Sequence, residues 1–305
     1  MPFDQTGFRR HARRFLPEDL DVDLHGRVAL VSGANSGIGK ATAEALARLG
    51  AEVWMLCRDR QRGERALAEL RASTGGRLHL AGLDLSELAA VRRFLVSEAP
   101  PRVDILVHNA GALLDARRFS SDGLELTLAT HLVGPFALTV GLLDRMRRPT
   151  DQPPARVVWV SSGGMYTRRL SVERLGQREG PFDGVTVYAD VKRAQVVLSE
   201  LLAERLVGQG ITSNAMHPGW AGTPGVQSAL PLFHTLTRRV LRSPAEGADT
   251  VVWLAACPRI AGLSGGFWFD RQEAATAPLP GTRERPEERA RLWQAVQEWS
   301  ETRWP

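Results

Sequence analysis

Ser32-Gly33-Ala34-Asn35-Ser36-Gly37-Ile38-Gly39-Lys40 lies between an apolar, β-branched run, Val28–Val31, and a stretch of helical periodicity, Ile38–Leu49. A strand that turns through small residues straight into a helix brings its backbone close to an anion. It also aims the free N–H groups of the helix start at that anion. The glycine spacing is Gly-x-x-x-Gly-x-Gly, not Gly-x-Gly-x-x-Gly. Set between a strand and a helix, it predicts a pyrophosphate cradle lined by Gly33, Asn35, Ser36, Gly37, Ile38 and Gly39. Lys40, just inside the helix, reads equally as a phosphate neighbour or as a solvated charge.

Outward from this loop the same alternation continues. Candidate strands at Val28–Val31, Glu52–Leu56, Leu78–Leu83, Asp104–Val107, Arg156–Val160, Thr212–Ala215 and Gly266–Phe269 are separated by helical stretches. Those stretches are Ile38–Leu49, Arg60–Ser73, Leu88–Glu98, Leu124–Arg147, Val187–Val207 and Ala245–Ala256. The pattern predicts an α/β fold: a single doubly wound, parallel, seven-stranded sheet of Rossmann type with helices on both faces. Residues 1–23 read as a basic arm, 24–270 as the sheet domain and 271–305 as a tail. The tail comprises a loop, Gln272–Arg285, and an amphipathic helix, Pro286–Trp304. Leu292, Trp293, Val296 and Trp299 share one helix face, a packing stripe or an oligomer contact.

Composition narrows the function classes. A chain of 305 residues with 43% hydrophobic and 24% charged residues is typical of globular proteins. No apolar run of about 18 residues is present, so no integral membrane segment is expected. The N-terminus lacks the apolar core of a secretion leader. Cys57 and Cys257 are too few and too far apart for a disulfide framework, which suits a reducing, cytoplasmic setting. The net charge of +5 would suit anionic partners, but the arginines are scattered among acids and no nucleic-acid motif occurs. No nucleic-acid partner and no metal are expected. The five cations from Arg9 to Arg14, beside Phe8 and Phe15, read as a solvated arm in preference to a membrane-surface anchor. Only Lys40 and Lys192 are lysines among 39 cationic side chains. A position that stays lysine in so arginine-rich a chain points to a compact charge with a movable pKa.

The end of the second strand bears on which nucleotide is bound. An acid there binds a ribose 2′-hydroxyl, whereas an arginine accommodates a 2′-phosphate. Here the strand ends Leu56-Cys57-Arg58-Asp59, with Cys57 in the place of the acid. Arg58 favours NADP(H), its planar guanidinium matching a phosphate with paired hydrogen bonds. Asp59 keeps NAD(H) possible.

Tyr188 and Lys192 stand four apart at the start of a helical stretch, on one face. A neighbouring ammonium favours phenolate and draws a tyrosine toward acid-base work near neutrality. The other tyrosine, Tyr166, has Leu170 at that spacing. Ser162 closes the fifth strand at the carboxyl edge of the sheet, where it could stabilise charge on a substrate oxygen. Ser161 beside it reads as a structural turn residue.

These segments, His108-Asn109-Ala110-Gly111 and His217-Pro218-Gly219 occur in the order and spacing of the short-chain dehydrogenase/reductase family. The resemblance covers about Gly26 to Phe269. Pro181-Phe182-Asp183-Gly184, His217-Pro218-Gly219-Trp220-Ala221 and Thr223-Pro224-Gly225 resemble its retinol-dehydrogenase-like branch. The resemblance implies that Asp84 and Leu85 meet the adenine, and that Asn109, Ala110 and Gly111 brace the central strands beside the cofactor. It implies that Tyr188 protonates a carbonyl oxygen and that Lys192 binds the nicotinamide ribose. Pro218, Gly219 and Thr223 would frame the nicotinamide. Asp84 reads alternatively as a helix cap, and the Pro-Gly pair as a turn. His131 stands where many members carry an asparagine that holds a proton-relay water. It reads as a relay group or as a packed helix residue. The 26 residues from Ser162 to Tyr188 exceed the usual gap, and the Met165–Val185 loop is expected to shape the pocket.

The expected function is hydride transfer between NADP(H) and a carbonyl or alcohol, with Tyr188, Lys192, Ser162 and His131 at the chemistry. The Trp220–Val240 segment suggests an apolar substrate wall, and the assembly is expected to be a homodimer or homotetramer. The rival reading, motivated by His131, is a dinucleotide-binding scaffold or redox sensor with little turnover.

Overall fold

In the computed structural model, residues 3–149, 151–222, 237 and 240–305 are described. The core strands read as unbroken apolar runs because they are buried on both faces. In β1 (Val28–Ser32), Leu30 packs to one side of the sheet and Ala29 and Val31 to the other. In β5 (Ala155–Val160), Val157 and Trp159 face the first side and Val158 and Val160 the second. Between these two lies β4 (Ile105–His108), and outside them β2 (Glu52–Cys57), β3 (Leu78–Gly82), β6 (Ile211–Met216) and β7 (Phe267–Phe269). The order is β3-β2-β1-β4-β5-β6-β7, all parallel. The direction of winding reverses between β1 and β4, and ligands of such sheets bind outside the carboxyl ends at that point.

Helices cover both faces. α2 (Gly37–Arg48), α3 (Arg60–Thr74) and α9 (Pro244–Ala256) pack on one side. On the other lie α4 (Leu88–Ser97), α6 (Gly134–Met146), α8 (Gly184–Arg205) and α10 (Pro286–Ser300). The stripe of α10 is packing: Leu292 and Val296 are buried, and Trp293 meets Phe136 edge-on at 5.7 Å. Leu126–Met146 is apolar and long enough to cross a membrane by composition alone, but 78% of its window is buried inside this fold.

Three features depart from the sequence reading. An eighth strand, β8 (Gln272–Glu273), stands where a loop is expected and pairs antiparallel with β7. Asp270 and Arg271, at φ 49° and 57°, form the two-residue turn between them. Both central residues at positive φ make the hairpin geometry that glycine or asparagine usually signals, so the turn was silent in the sequence. Second, the stretch 124–147 is not one helix. A short turn, α5 (Leu126–Leu128), leads into a π-turn at Ala129–Val133 before α6 begins. Third, the N-terminal arm packs through its rings, while Arg9, Arg10, Arg13 and Arg14 stay exposed as a solvated arm would have them. It contains α1 (Gln5–Ala12), and Phe3 lies against the rings of His217 and Phe269, both at 5.3 Å. Farther along, Asp19 is buried and accepts from Trp253 Nε1 at 3.1 Å.

The amino ends of the central strands are held by one carboxylate. Asp104 accepts from Arg27 (3.0 Å), Arg102 (2.8 Å), Arg148 (3.2 Å) and the Val28 backbone N–H (3.0 Å). Burial raises its pKa, but the Arg102, Val28 and Arg27 hydrogen bonds outweigh that and bring it from 3.8 to about 2. A depressed carboxylate stabilises the fold above its unfolded pKa and loses that contribution as pH falls through the folded one. The shift corresponds to roughly 2 kcal/mol. Asp104→Asn should therefore lower the unfolding free energy by about 2 kcal/mol at neutral pH. Urea titrations should show the variant and the parent converging as pH falls from about 4 toward 2. An undiminished gap at the acid end would refute this assignment.

Candidate active site

At the carboxyl end of β1 the chain enters α2 through the glycine loop. Gly33 and Gly37 have φ +67° and +55°, which residues with a Cβ rarely adopt. A Cβ on Gly39 would lie 2.3 Å from Asn109 Nδ2 and 2.4 Å from Gly33 O. The loop therefore closes on itself against β4. Ser32 Oγ donates to Val107 O (3.1 Å) and accepts from the backbone N–H groups of Asn109 (2.9 Å) and Ala110 (3.0 Å). Asn109 Nδ2 donates to Ser32 O at 2.9 Å. This lacing braces the switch point and leaves the start of α2 to an anion. The residues fit the pyrophosphate of a dinucleotide. Ile38, by contrast, turns its side chain toward Gly247 of α9. Lys40 is ion-paired with Glu69 of α3.

At the end of β2, Asp59 caps α3, accepting from Arg62 N–H at 2.9 Å. Arg58 is 67% exposed and lies 3.8 Å from Asp84. Asp84 Oδ1 takes the backbone N–H and hydroxyl of Ser86, at 2.9 and 2.7 Å. The Leu85 side chain is buried in the core. Gly111 packs beneath the His131 ring, where a Cβ would approach to 2.1 Å. Pro218 O accepts from Arg242 (3.2 Å), and Gly219 sits at φ +73° with the Arg242 guanidinium and Phe3 O against it. Thr223 and most of the Trp220–Val240 segment lie outside the described residues.

The α8 helix starts at Asp183, which caps Val185 and Thr186. It carries Tyr188 and Lys192 to the ends of β4 and β5. Lys192 is buried, and Nζ donates to Val160 O (2.7 Å) and Gln195 Oε1 (3.1 Å). Nζ stands 5.5 Å from the Tyr188 ring centroid. Ser161 Oγ is turned inward and donates to Lys192 O at 3.0 Å. Ser162 is half-buried and reaches the Tyr188 phenol. Burial pushes Tyr188 up to about 12, with the Ser162 hydrogen bond acting in the opposite sense. Burial brings Lys192 down to about 7. Desolvation thus drives both groups toward their neutral forms, and the lowered tyrosine pKa expected from a neighbouring ammonium is not found. His131 meets Tyr188 edge-on at 5.4 Å. Its Nε2 lies 3.0 Å from both the N and O of Ala112, and Nδ1 is buried without a partner among the described residues. Burial, then the Lys192 charge, hold His131 well below its usual pKa, although the Ala112 backbone opposes them.

The long Met165–Val185 loop is fastened onto α8. Arg168 and Arg174 both pair with Asp190, at 2.8 and 3.0 Å. It contains the short helix α7 (Val172–Leu175). One buried polar residue of the site escaped the sequence reading, namely Gln195. Its signal was present as an amide set between Ala194 and Val196, three residues after Lys192.

Residues 27–231 match the family model described as short chain dehydrogenase. Dehydrogenase/reductase SDR family member 12 of Homo sapiens is 38% identical over 98% of this chain and 94% of its own length. Retinol dehydrogenase 14 of Mus musculus is 34% identical over 84% of this chain and 81% of its own. Among solved structures, an uncharacterized protein from Mycobacterium paratuberculosis matches with a TM-score of 0.74 and 28% identity over 93% of this chain and 97% of that one. The NADP active-site complex of Pseudomonas aeruginosa RhlG matches with a TM-score of 0.66 and 26% identity over 83% of this chain and 96% of that one.

Gly39→Ala tests the cradle. The added methyl would meet backbone and a braced amide, so overpacking should cost about 1–3 kcal/mol. Thermal unfolding should show that loss together with weakened dinucleotide binding. An unchanged midpoint would mean the loop is looser than its geometry.

Proposed function

The chain belongs to the short-chain dehydrogenase/reductase family, and on that premise we propose that it is an NADP(H)-dependent oxidoreductase acting on a lipophilic carbonyl or alcohol. The observation that carries the reading is Tyr188 at the sheet's carboxyl edge, with Ser162 on its hydroxyl and Lys192 beneath its ring. The bound nicotinamide supplies or accepts the hydride. A phenol raised to about 12 is protonated at neutral pH, the form a general acid needs for reduction. As the proton passes from Tyr188 Oη to a carbonyl oxygen, the phenolate that develops is stabilised by the Ser162 hydroxyl and a charged Lys192. With one proton to give, the Ser162 hydroxyl donates either to that phenolate or to the substrate oxygen, not to both at once. His131, held neutral, supports the Gly111 segment, and no proton step is assigned to its ring.

The NADP(H) preference rests on Arg58, which is exposed, while Asp59 is already engaged as a helix cap. RhlG, with its NADP complex, is in keeping with this. The likeness to retinol dehydrogenase 14 supports an apolar alcohol or its carbonyl. Cys57 and Cys257 are both free and buried, in keeping with a reducing, cytoplasmic setting.

Tyr188→Phe should lower reductive turnover at least about a hundredfold while NADPH still quenches tryptophan fluorescence. Retained turnover would overturn the assignment. Arg58→Ala should weaken NADPH binding about tenfold or more and leave NADH nearly untouched. Equal losses for both nucleotides would remove the 2′-phosphate role.

A further inference from the structure

Lys192 has no carboxylate partner among the described residues. Its surroundings are Val160 O from β5, the side chain of Gln195 from its own helix, and the neutral His131 and Tyr188. The nearby ionised groups are engaged elsewhere: Asp190 by Arg168 and Arg174, and Arg193 by Glu284. Gln195 is 1% exposed. Its Oε1 accepts from Lys192 Nζ (3.1 Å), while its Nε2 donates to His131 O (3.1 Å). Both ends of one amide are thus used, which also fixes which end is oxygen.

The sequence explains why His131 O is there to be used. In an α-helix that carbonyl would take the N–H four residues on, but position 135 is proline and has none. The π-turn answers the same constraint, with Gly134 N–H reaching back to Ala129 O. We propose that Gln195 is a positioning residue for the reaction: its amide ties the Lys192 side-chain nitrogen to the carbonyl exposed at His131 and so fixes its depth below Tyr188. This rests on the catalytic reading of Tyr188 and Lys192. Position 131 is therefore hydrogen-bonded to Lys192 through its backbone carbonyl and the Gln195 amide. A second consequence is electrostatic. The acceptor is a neutral amide, so it favours the charged amine by hydrogen bonding without adding a counter-charge.

The test reads Lys192 directly and needs no turnover. With two lysines in the chain, protein labelled with 13C-lysine gives two side-chain signals, and Lys40→Arg assigns them. Lys192 should titrate near 7 in the parent. In Gln195→Leu the ammonium loses an acceptor, and its titration should move down by about one pH unit, a tenfold change in proton affinity. In Gln195→Glu a carboxylate faces it, and the titration should move up by a similar amount. A purely structural role would not shift the two variants in opposite directions. Unmoved titrations, or shifts of one sign in both, would overturn the proposal. Should Gln195→Leu fail to fold, the upward shift in Gln195→Glu alone decides it. Turnover of Tyr188→Phe fails or survives independently, so loss of the catalytic reading is distinguishable from loss of this one.

Discussion

Among the described residues, the acceptors of the buried Lys192 amine are all neutral, and much of the site's geometry answers to that. Holding a buried ammonium without a counter-charge is costly unless its donors are satisfied. One donor is met by Val160 O at the last residue of β5 and another by Gln195 Oε1. Those two bonds join the helix that carries Tyr188 to the strand that leads into Ser162 and, through Gln195, to the π-turn at His131. Ser161 adds a bond from β5 to the Lys192 carbonyl. The catalytic edge is therefore cross-linked by short polar contacts within an otherwise apolar interior.

The same burial sets the chemistry. Apolar surroundings raise an acid such as tyrosine and lower a base such as lysine, so proximity alone does not make a phenolate. Here the tyrosine stays protonated at neutral pH, and the lysine sits where modest changes in its surroundings alter its charge near neutrality. Arginine would remain charged and could not serve in this way. A chain that otherwise uses arginine almost throughout keeps lysine at this position.

Much of the fold was legible because the parallel strands are buried on both sides and read as continuous apolar runs. The glycine loop was legible because positive φ and close approach both exclude side chains, as Gly33 and Gly39 show. Tyr188 and Lys192 could be placed on one face by helical spacing alone. What the sequence concealed depends on long-range contact or uncommon backbone. The turn at Asp270-Arg271 contains neither glycine nor asparagine, so β8 went unread. The π-turn lies in a stretch buried almost all round, where periodicity cannot report a change of pitch. The arm is packed because Phe3 finds rings more than two hundred residues away, which no local pattern encodes.

Hydride transfer from a nicotinamide to a carbonyl carbon at this edge can be followed by isotope. The most direct measurement offers the protein a long-chain aldehyde or ketone with NADPH bearing deuterium at nicotinamide C4 in the transferred position. Mass spectrometry of the alcohol then reports where the label goes. One deuterium is expected on the carbinol carbon. Alcohol without label, or cofactor bound tightly with no alcohol formed across a broad carbonyl panel, would contradict it.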